Sequence, residues 1–491
     1  MIDHPMLAMI ERGAEGLVLI NKGREASDQP TLDLTLTRLE GCYLTLDQDV
    51  SVAIEPWFCC ACPLSVAAPE SLRSAPWAAG MMGPRSDGAG MGRGLRRVMG
   101  NRERPLAAGL LLLWILALLL ALTGLGGVPL VDWDEGIVAR VALESSQAPW
   151  PHRLWPTYWG EPYLNKPPLI HWLIAACIDL WRQISSMAGT GAGPIAGPIA
   201  DGAIPGATPV VALPPEWLLR LGPALLSSLI VPLLGLIQWR LRPGQRGPAL
   251  ATAAIALTLL PLARQGHRVM LDGSQLVAIA LLWWALLGSM ASWRRTLGWG
   301  ALAGLAGSAL LLLKAPTALP VLASALLLRA LERDLRPRQW LLLALALLVG
   351  LLPGLAWHLG HWLVRGDGAL QMWLGQGYAR IGTAIEGHRD GPFSAVLEMV
   401  EGGWPWLPLW PFGLALAWRA RSSRAGLWCL GLTLAMSLMV LPLRTQLPWY
   451  SLLLWPSHIC RAPSPRTSQW PRCQARPGNR PTSRARTSSS H

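Results

Sequence analysis

An all-α polytopic membrane protein is the fold class this sequence predicts, and three observations predict it. Only 14% of its 491 residues are charged, against 52% hydrophobic, where a soluble domain carries about a quarter charged. Leu/Ala-rich runs of bilayer-spanning length recur along the chain. Short arginine-rich loops separate them, at the positions where basic residues report topology.

Residues 1–90 mix polar and apolar types without a sustained period and end in AAGMMGPRSDGAGMG. They contain neither a signal-peptide apolar region nor a span. We expect 1–98 to be an N-terminal extension, poorly ordered or an over-extended start. Residues 99–456 should form the membrane domain, and 457–491 a basic disordered tail. In FCCAC, Cys59, Cys60 and Cys62 cluster with no second pair at zinc spacing, so unpaired thiols are expected there. The net charge of +13 does not point to nucleic acid. Seven arginines lie in the last 35 residues, which hold no acid, and most others sit in loops between apolar runs.

The apolar runs predict helices at roughly 105–124, 216–239, 248–263, 270–291, 298–313, 317–331, 340–364, 404–418 and 425–443, with a stub at 447–456. That makes about 9–10 transmembrane helices. Several are shorter than the ~20 residues a perpendicular span needs, so 298–331 also fits a re-entrant hairpin. If the arginines before residue 105 are cytoplasmic, the loops alternate consistently. WRLRPGQR, SWRRT, RALERDLRPRQ and WRARSSR then fall inside, and all are basic. The segment 125–215 falls outside, and PPLIHWLIAACIDLWR within it reads as a helix lying at the interface.

On this topology the strong polar signals gather on the outer face. Asp132, Asp134 and Glu135 follow the first span. YWGEPYLNKPP brings Glu161, Tyr163, Asn165 and Lys166. ARQGHRVMLD brings Arg264, Arg268 and Asp272, and Lys314 tips a later hairpin. GTAIEGHRDGP adds Glu386, His388, Arg389 and Asp390, and RTQLPWY adds Arg444 and Tyr450. The predicted midplanes carry no charge, whereas a transporter is expected to place ionisable groups along its pathway. A site at one interface suits chemistry on a substrate whose apolar part stays in the bilayer. Plainer roles stand beside this one. Asp134 can cap a helix GIVARVALESS with Glu135 in its first turn. Lys166 can snorkel to headgroups, and Asp272 can cap its own helix. The 27 tryptophans, against three phenylalanines, are mainly interfacial anchors.

The order DEGIVARVALES, TYWGEPYLNKPPLIHWLIAA, EWLLRLGPALLSSLIVPLLGL, ARQGHRVMLDGSQLVAIALLWWAL, LLLLKAPTALPVL, EGHRDGPF and RTQLPWYSLLLWP resembles the bacterial membrane glycosyltransferases related to 4-amino-4-deoxy-L-arabinose transferase and protein O-mannosyltransferase. The resemblance covers about 125–456, and its specific part is DEG with GEPYLNKPP. It implies a C-type glycosyltransferase bundle whose first extracytoplasmic loop, 125–215, carries interfacial helices. It implies a sugar on a polyprenyl phosphate as donor, used on the outer side of the bacterial cytoplasmic (inner) membrane. The acceptor is a lipid, as in lipid A modification, or a protein or glycan, and membrane lipids are the surroundings.

By the same resemblance the acidic pair falls on Asp134 and Glu135 as catalytic residues. Lys166 and Asp272 fall in the substrate-binding set, to which we add Tyr163, Arg268 and Lys314. Glu386 and His388 match a Glu-x-His that would hold a divalent metal ion. The chain departs from the pattern at Gln446, where relatives often carry Lys, at Ala315 in Lys-Ala-Pro, and beyond Ser457. Direct attack on the donor would invert the anomeric centre, with Asp134 taking the acceptor proton and Lys166 stabilising the leaving phosphate. Two other classes stay open: a transporter or lipid flippase, and an inactive truncated remnant of the transferases.

Overall fold

The computed structural model describes residues 8–13, 16–21, 36–40, 43–46, 51–53, 91–131, 134–188, 214–383, 394–445 and 447–459. The chain divides into two compact units, Met1–Ser86 and Asp87–His491. In the first, β1 (Ala8–Gly13) pairs antiparallel with β2 (Gly16–Asn21). The strands β3 (Leu36–Glu40), β4 (Tyr43–Leu46) and β5 (Ser51–Ala53) form an antiparallel meander.

The second unit is helical and holds the candidate site. Helix α1 (Met91–Leu122) ends in the leucine-rich span Pro105–Leu122. Helix α2 (Asp134–Gln147) opens with Asp134 and Glu135, whose charges complement the amide dipoles of its first turn. A hairpin of β6 (Thr157–Tyr158) and β7 (Glu161–Pro162) leads to α3 (Leu169–Met187). Its Ile170, Ile174 and Ile178, one helical turn apart, are buried, while Leu180, Trp181 and Ile184 are exposed. The helix is buried along one side.

Helices α4 (Glu216–Ser228) and α5 (Ile230–Leu241) run on as one 26-residue span. Helices α6 (Arg246–Thr258) and α7 (Leu260–Gly266) are bent by 60° at Leu259. Pro261 opens α7, where its missing N–H removes no intrahelical bond. Then follow α8 (Asp272–Leu286), α9 (Trp293–Leu331) and α10 (Pro337–Arg365). The short turns α11 (Gln371–Trp373) and α12 (Ala379–Gly382) come next. The unit closes with α13 (Ser394–Gly402), α14 (Leu409–Arg419), α15 (Arg424–Val440) and α16 (Trp455–Ile459).

Among the described residues, four helical segments are long and apolar enough to cross a membrane, or five with the bent pair. The chain is a multi-pass membrane protein. This measure takes α9 as one segment and leaves out the shorter apolar helices Asp272–Leu286 and Arg424–Val440, whereas the apolar runs predict 9–10 spans. The 270–291 run yields only the 15-residue α8. The 404–418 run yields only the 11-residue α14, because Pro405 and Pro408 sit in a stretch of turns over 403–408.

The 39-residue α9 is two arms. Lys314 breaks it with extended backbone (φ −152°, ψ 81°), two residues before Pro316, whose ring and missing N–H disrupt the bond to the preceding turn. The arms fold back on each other. Trp299 near the start of α9 stacks on Arg240, and Arg424 reaches both the Leu287 carbonyl and Glu332, just past the end of α9. A straight helix of this length would hold those ends almost 60 Å apart.

The first arm of α9 then lies parallel to α10 along a seam of small residues. Gly300, Gly304 and Ser308 face Ala346, Gly350 and Gly354. A Cβ at Gly304 would come within 2.2 Å of the Leu347 carbonyl oxygen, and one at Gly350 within 2.3 Å of that of Ala301. Ser308 Oγ accepts from the Gly354 amide at 2.6 Å. Small residues every fourth position let apolar helices pack at close range, where dispersion contacts are strongest. Gly304→Val and Gly350→Val should therefore force the helices apart. Each should lower the unfolding temperature of the detergent-purified protein by several degrees, whereas Leu305→Val, on the exposed side, should leave it within a degree or two.

Candidate active site

The site is assembled at the end of the bundle where Lys314 turns α9. Two polar clusters place its parts. Glu144 of α2 accepts from Arg140 Nε (2.7 Å), Thr157 Oγ1 (2.6 Å) and the amides of Trp159 (2.8 Å) and Gly160 (3.2 Å). It pins the β6–β7 turn, where Gly160 takes the left-handed φ of 81° that glycine tolerates. Burial raises the Glu144 pKa, but these donors outweigh it and hold the carboxyl below its usual range. The hairpin leads directly into Tyr163, Asn165 and Lys166.

The second cluster centres on Glu135, which is 1% exposed. Its Oε1 accepts from Arg220 Nε (3.1 Å) and the Val269 amide (2.7 Å). Its Oε2 accepts from Arg220 Nη2 (2.9 Å) and the Val131 amide (2.9 Å). Arg220 also donates to the carbonyls of Leu125, Val128 and Pro129. Burial opposes ionisation of Glu135, but Arg220 and the two amides prevail and lower its pKa. Both oxygens of Glu135, for which a catalytic role is expected, are engaged, and the residue lies outside the cavity lining. It ties α2 to α4 and to the segment before α8.

Its neighbour Asp134 faces the cavity. A space of about 430 Å³ is lined by Asp134, Ile137, Val138, Tyr163, Asn165, Lys166, Lys314, Gln376, Arg380, Leu447, Trp449 and Tyr450. Lys314 Nζ bonds Asp272 Oδ1 at 3.2 Å and lies 4.8 Å from the Tyr450 ring centre. Arg380 donates to the Tyr450 hydroxyl at 2.9 Å. Gln376 donates to Asn165 at the cavity wall.

Burial lowers the Lys166 pKa; Asp272 pulls it back up, Lys314 lowers it, Asp134 raises it, and Arg380 lowers it again. Three cations thus crowd a partly desolvated space, an arrangement that favours an entering anion. Tyr163 is buried, and desolvation pushes its phenol above the ordinary range, so it stays protonated.

The structure brings together Asp134, Tyr163, Lys166, Asp272 and Lys314. Arg268 does not line the cavity. Glu386 and His388 lie outside the described residues, and among the described residues no three His, Cys, Asp or Glu side chains are grouped to hold a metal ion. Sequence reading missed Arg220, Gln376 and Arg380. For Arg220 a signal existed, since it is the sole charge in the run WLLRLGPALLSSLIVPLLGLIQW.

The same helical arrangement occurs in solved structures. ArnT from Cupriavidus metallidurans bound to undecaprenyl phosphate superposes with a TM-score of 0.54 at 20% identity. Its apo state gives 0.54 at 21%. The chain shares its fold with ArnT. Each match covers 72% of this chain and 59% of the ArnT chain, so the protein spans less than two thirds of ArnT's length. No family model and no curated protein matches the sequence.

Beneath the cavity, His171 is fully buried and meets Tyr163 edge-on at 5.3 Å. Burial and the Lys166 charge push its pKa down to about 3, with the Pro167 carbonyl opposing. The native ring is therefore neutral, whereas in the unfolded chain it titrates near 6.5. The unfolded state binds the extra proton first, so stability falls as pH drops from 6.5 toward 3. Between pH 6.5 and 5 the loss from this residue is about 2 kcal/mol. Thermal unfolding of His171→Leu should depend less on pH across that window than unfolding of the unaltered protein.

Proposed function

We propose that this chain is a glycosyltransferase that moves a sugar from a polyprenyl phosphate to a hydroxyl or phosphate acceptor. The reaction would take place on the outer face of the bacterial cytoplasmic membrane. The observation that carries the proposal is the pairing, in one cavity at one end of an apolar bundle, of a carboxylate with three cations: Asp134 with Lys166, Lys314 and Arg380. Two features support it: the fold shared with ArnT, solved with undecaprenyl phosphate bound, and the sequence motifs that contribute Asp134 and Lys166.

In this reading the donor phosphate sits among Lys166, Lys314 and Arg380, and its polyprenyl tail stays among the apolar helices. The acceptor oxygen attacks the anomeric carbon, and the bond from that carbon to the phosphate oxygen breaks. The electron pair leaves on the phosphate, where the cations stabilise it. A hydroxyl acceptor gives its proton to the Asp134 carboxylate; toward a phosphate acceptor, Asp134 positions the substrate. Asp272 orients Lys314 through their 3.2 Å bond. Attack from the face opposite the leaving group inverts the anomeric centre.

The test is turnover by the purified chain in liposomes loaded with polyprenyl-phosphate sugars, read as free polyprenyl phosphate and glycosylated acceptor. Formation of both supports the reading. Donor that crosses the bilayer intact would make the protein a flippase instead, and donor that neither reacts nor moves would mark an inactive chain.

A further inference from the structure

The opposite end of the helical unit holds a second polar cavity, separate from the proposed transfer site. It measures about 340 Å³ and is lined by Trp239, Arg240, Pro243, Leu287, Ser289, Arg295, Trp299 and Arg424. Three arginines and no carboxylate line it. The nearest acid bonded to a lining residue, Glu332, is already engaged by Arg329, Arg424 and the Trp428 indole.

Arg240 is built into the wall. Its guanidinium carbon lies 4.0 Å from the ring centres of both Trp284 and Trp299, whose planes stand at 83° to each other. One of its nitrogens donates to the Trp284 carbonyl. A guanidinium carries five N–H groups in a planar fork. The indole faces hold that plane fixed while other donors remain for an anion in the cavity. Arg424 adds a second guanidinium, oriented by the Leu287 carbonyl at 3.2 Å and Glu332 at 2.9 Å. Arg295 stands exposed at the rim.

We propose that this cavity binds the phosphate headgroup of an anionic membrane phospholipid. Its position supports a lipid over a soluble anion. The cavity lies where α5, α8, α9 and α15 end or begin, so a headgroup seated there leaves its acyl chains alongside apolar helices. Trp239 and Trp299 supply the indoles that settle at headgroup depth. Basic pockets between spans are suited to anionic headgroups, and the volume is within the range of small-ligand sites.

Native mass spectrometry of the full chain tests it, with phosphatidylglycerol and phosphatidylcholine added at equal concentration. Phosphatidylglycerol should be retained at least tenfold more, and Arg240→Gln and Arg295→Gln should each reduce that retention severalfold or more. Arg295 is exposed, so its variant keeps the test decisive should Arg240→Gln fail to fold. Equal retention of the two lipids, or undiminished phosphatidylglycerol binding in Arg295→Gln, overturns the proposal. So does displacement of the lipid by inorganic phosphate at equal concentration, which would mark a soluble-anion site.

Discussion

Replacing Lys166 by alanine should reduce sugar transfer by about 10²–10³-fold, the usual loss when one donor to a developing oxyanion is removed. Lys166 lies at the cavity wall with Asp134, Lys314 and Arg380, and its charge senses all three as well as Asp272. Asp134→Asn preserves shape and hydrogen bonding but removes the proton acceptor, so a loss of about 10²–10⁴-fold is expected toward a hydroxyl acceptor. Neither change should alter membrane insertion, since neither residue lies in a span. The pH response has a definite sign. The Lys166 pKa is lowered, so its charge is lost as pH rises at values below the ordinary 10.5; transfer should fall on that alkaline limb. Near-normal turnover in both variants, measured as released polyprenyl phosphate, would remove the site assignment.

The second large effect concerns folding. Glu135→Gln leaves Arg220 buried with its partner neutralised, and Arg220→Met leaves Glu135 buried and unpaired. Removing one member of a buried ion pair typically destabilises by about 3–5 kcal/mol. Here Arg220 also releases three carbonyls in the turn after α1, so Arg220→Met should be the worse of the two. The double variant Glu135→Gln/Arg220→Met should be less damaged than the sum of its parts, because it leaves no lone charge. Denaturation in detergent measures all three. The folded fraction of the double variant should retain transfer activity. Its complete inactivity would support the catalytic role expected for Glu135.

Much of the site was legible before the fold. Lys166 and Asp272 stood out as polar residues at the rims of apolar runs, and the structure gathers them with Tyr163 and Lys314. Arg380 and Gln376 gave no comparable signal, because their segment reads as an ordinary polar loop until α12 carries Arg380 to Tyr450. The expected metal pair, Glu386 and His388, lies outside the described residues.

Sequence by itself determined the class of molecule and the break in the run 298–331. Apolar length dictates spans, and proline removes an amide, so the break between 313 and 317 falls at Lys314 beside Pro316, whereas the bend at Leu259 lies inside the run 248–263 that reads as one helix. Tertiary structure alone decided where each of two adjacent acids lies. Successive residues on a helix point about 100° apart, and here Asp134 lines the cavity while Glu135 turns to Arg220. Arg220 stands out as a lone charge in its run, but its pairing with Glu135, 85 positions away along the chain, is specified by no local pattern.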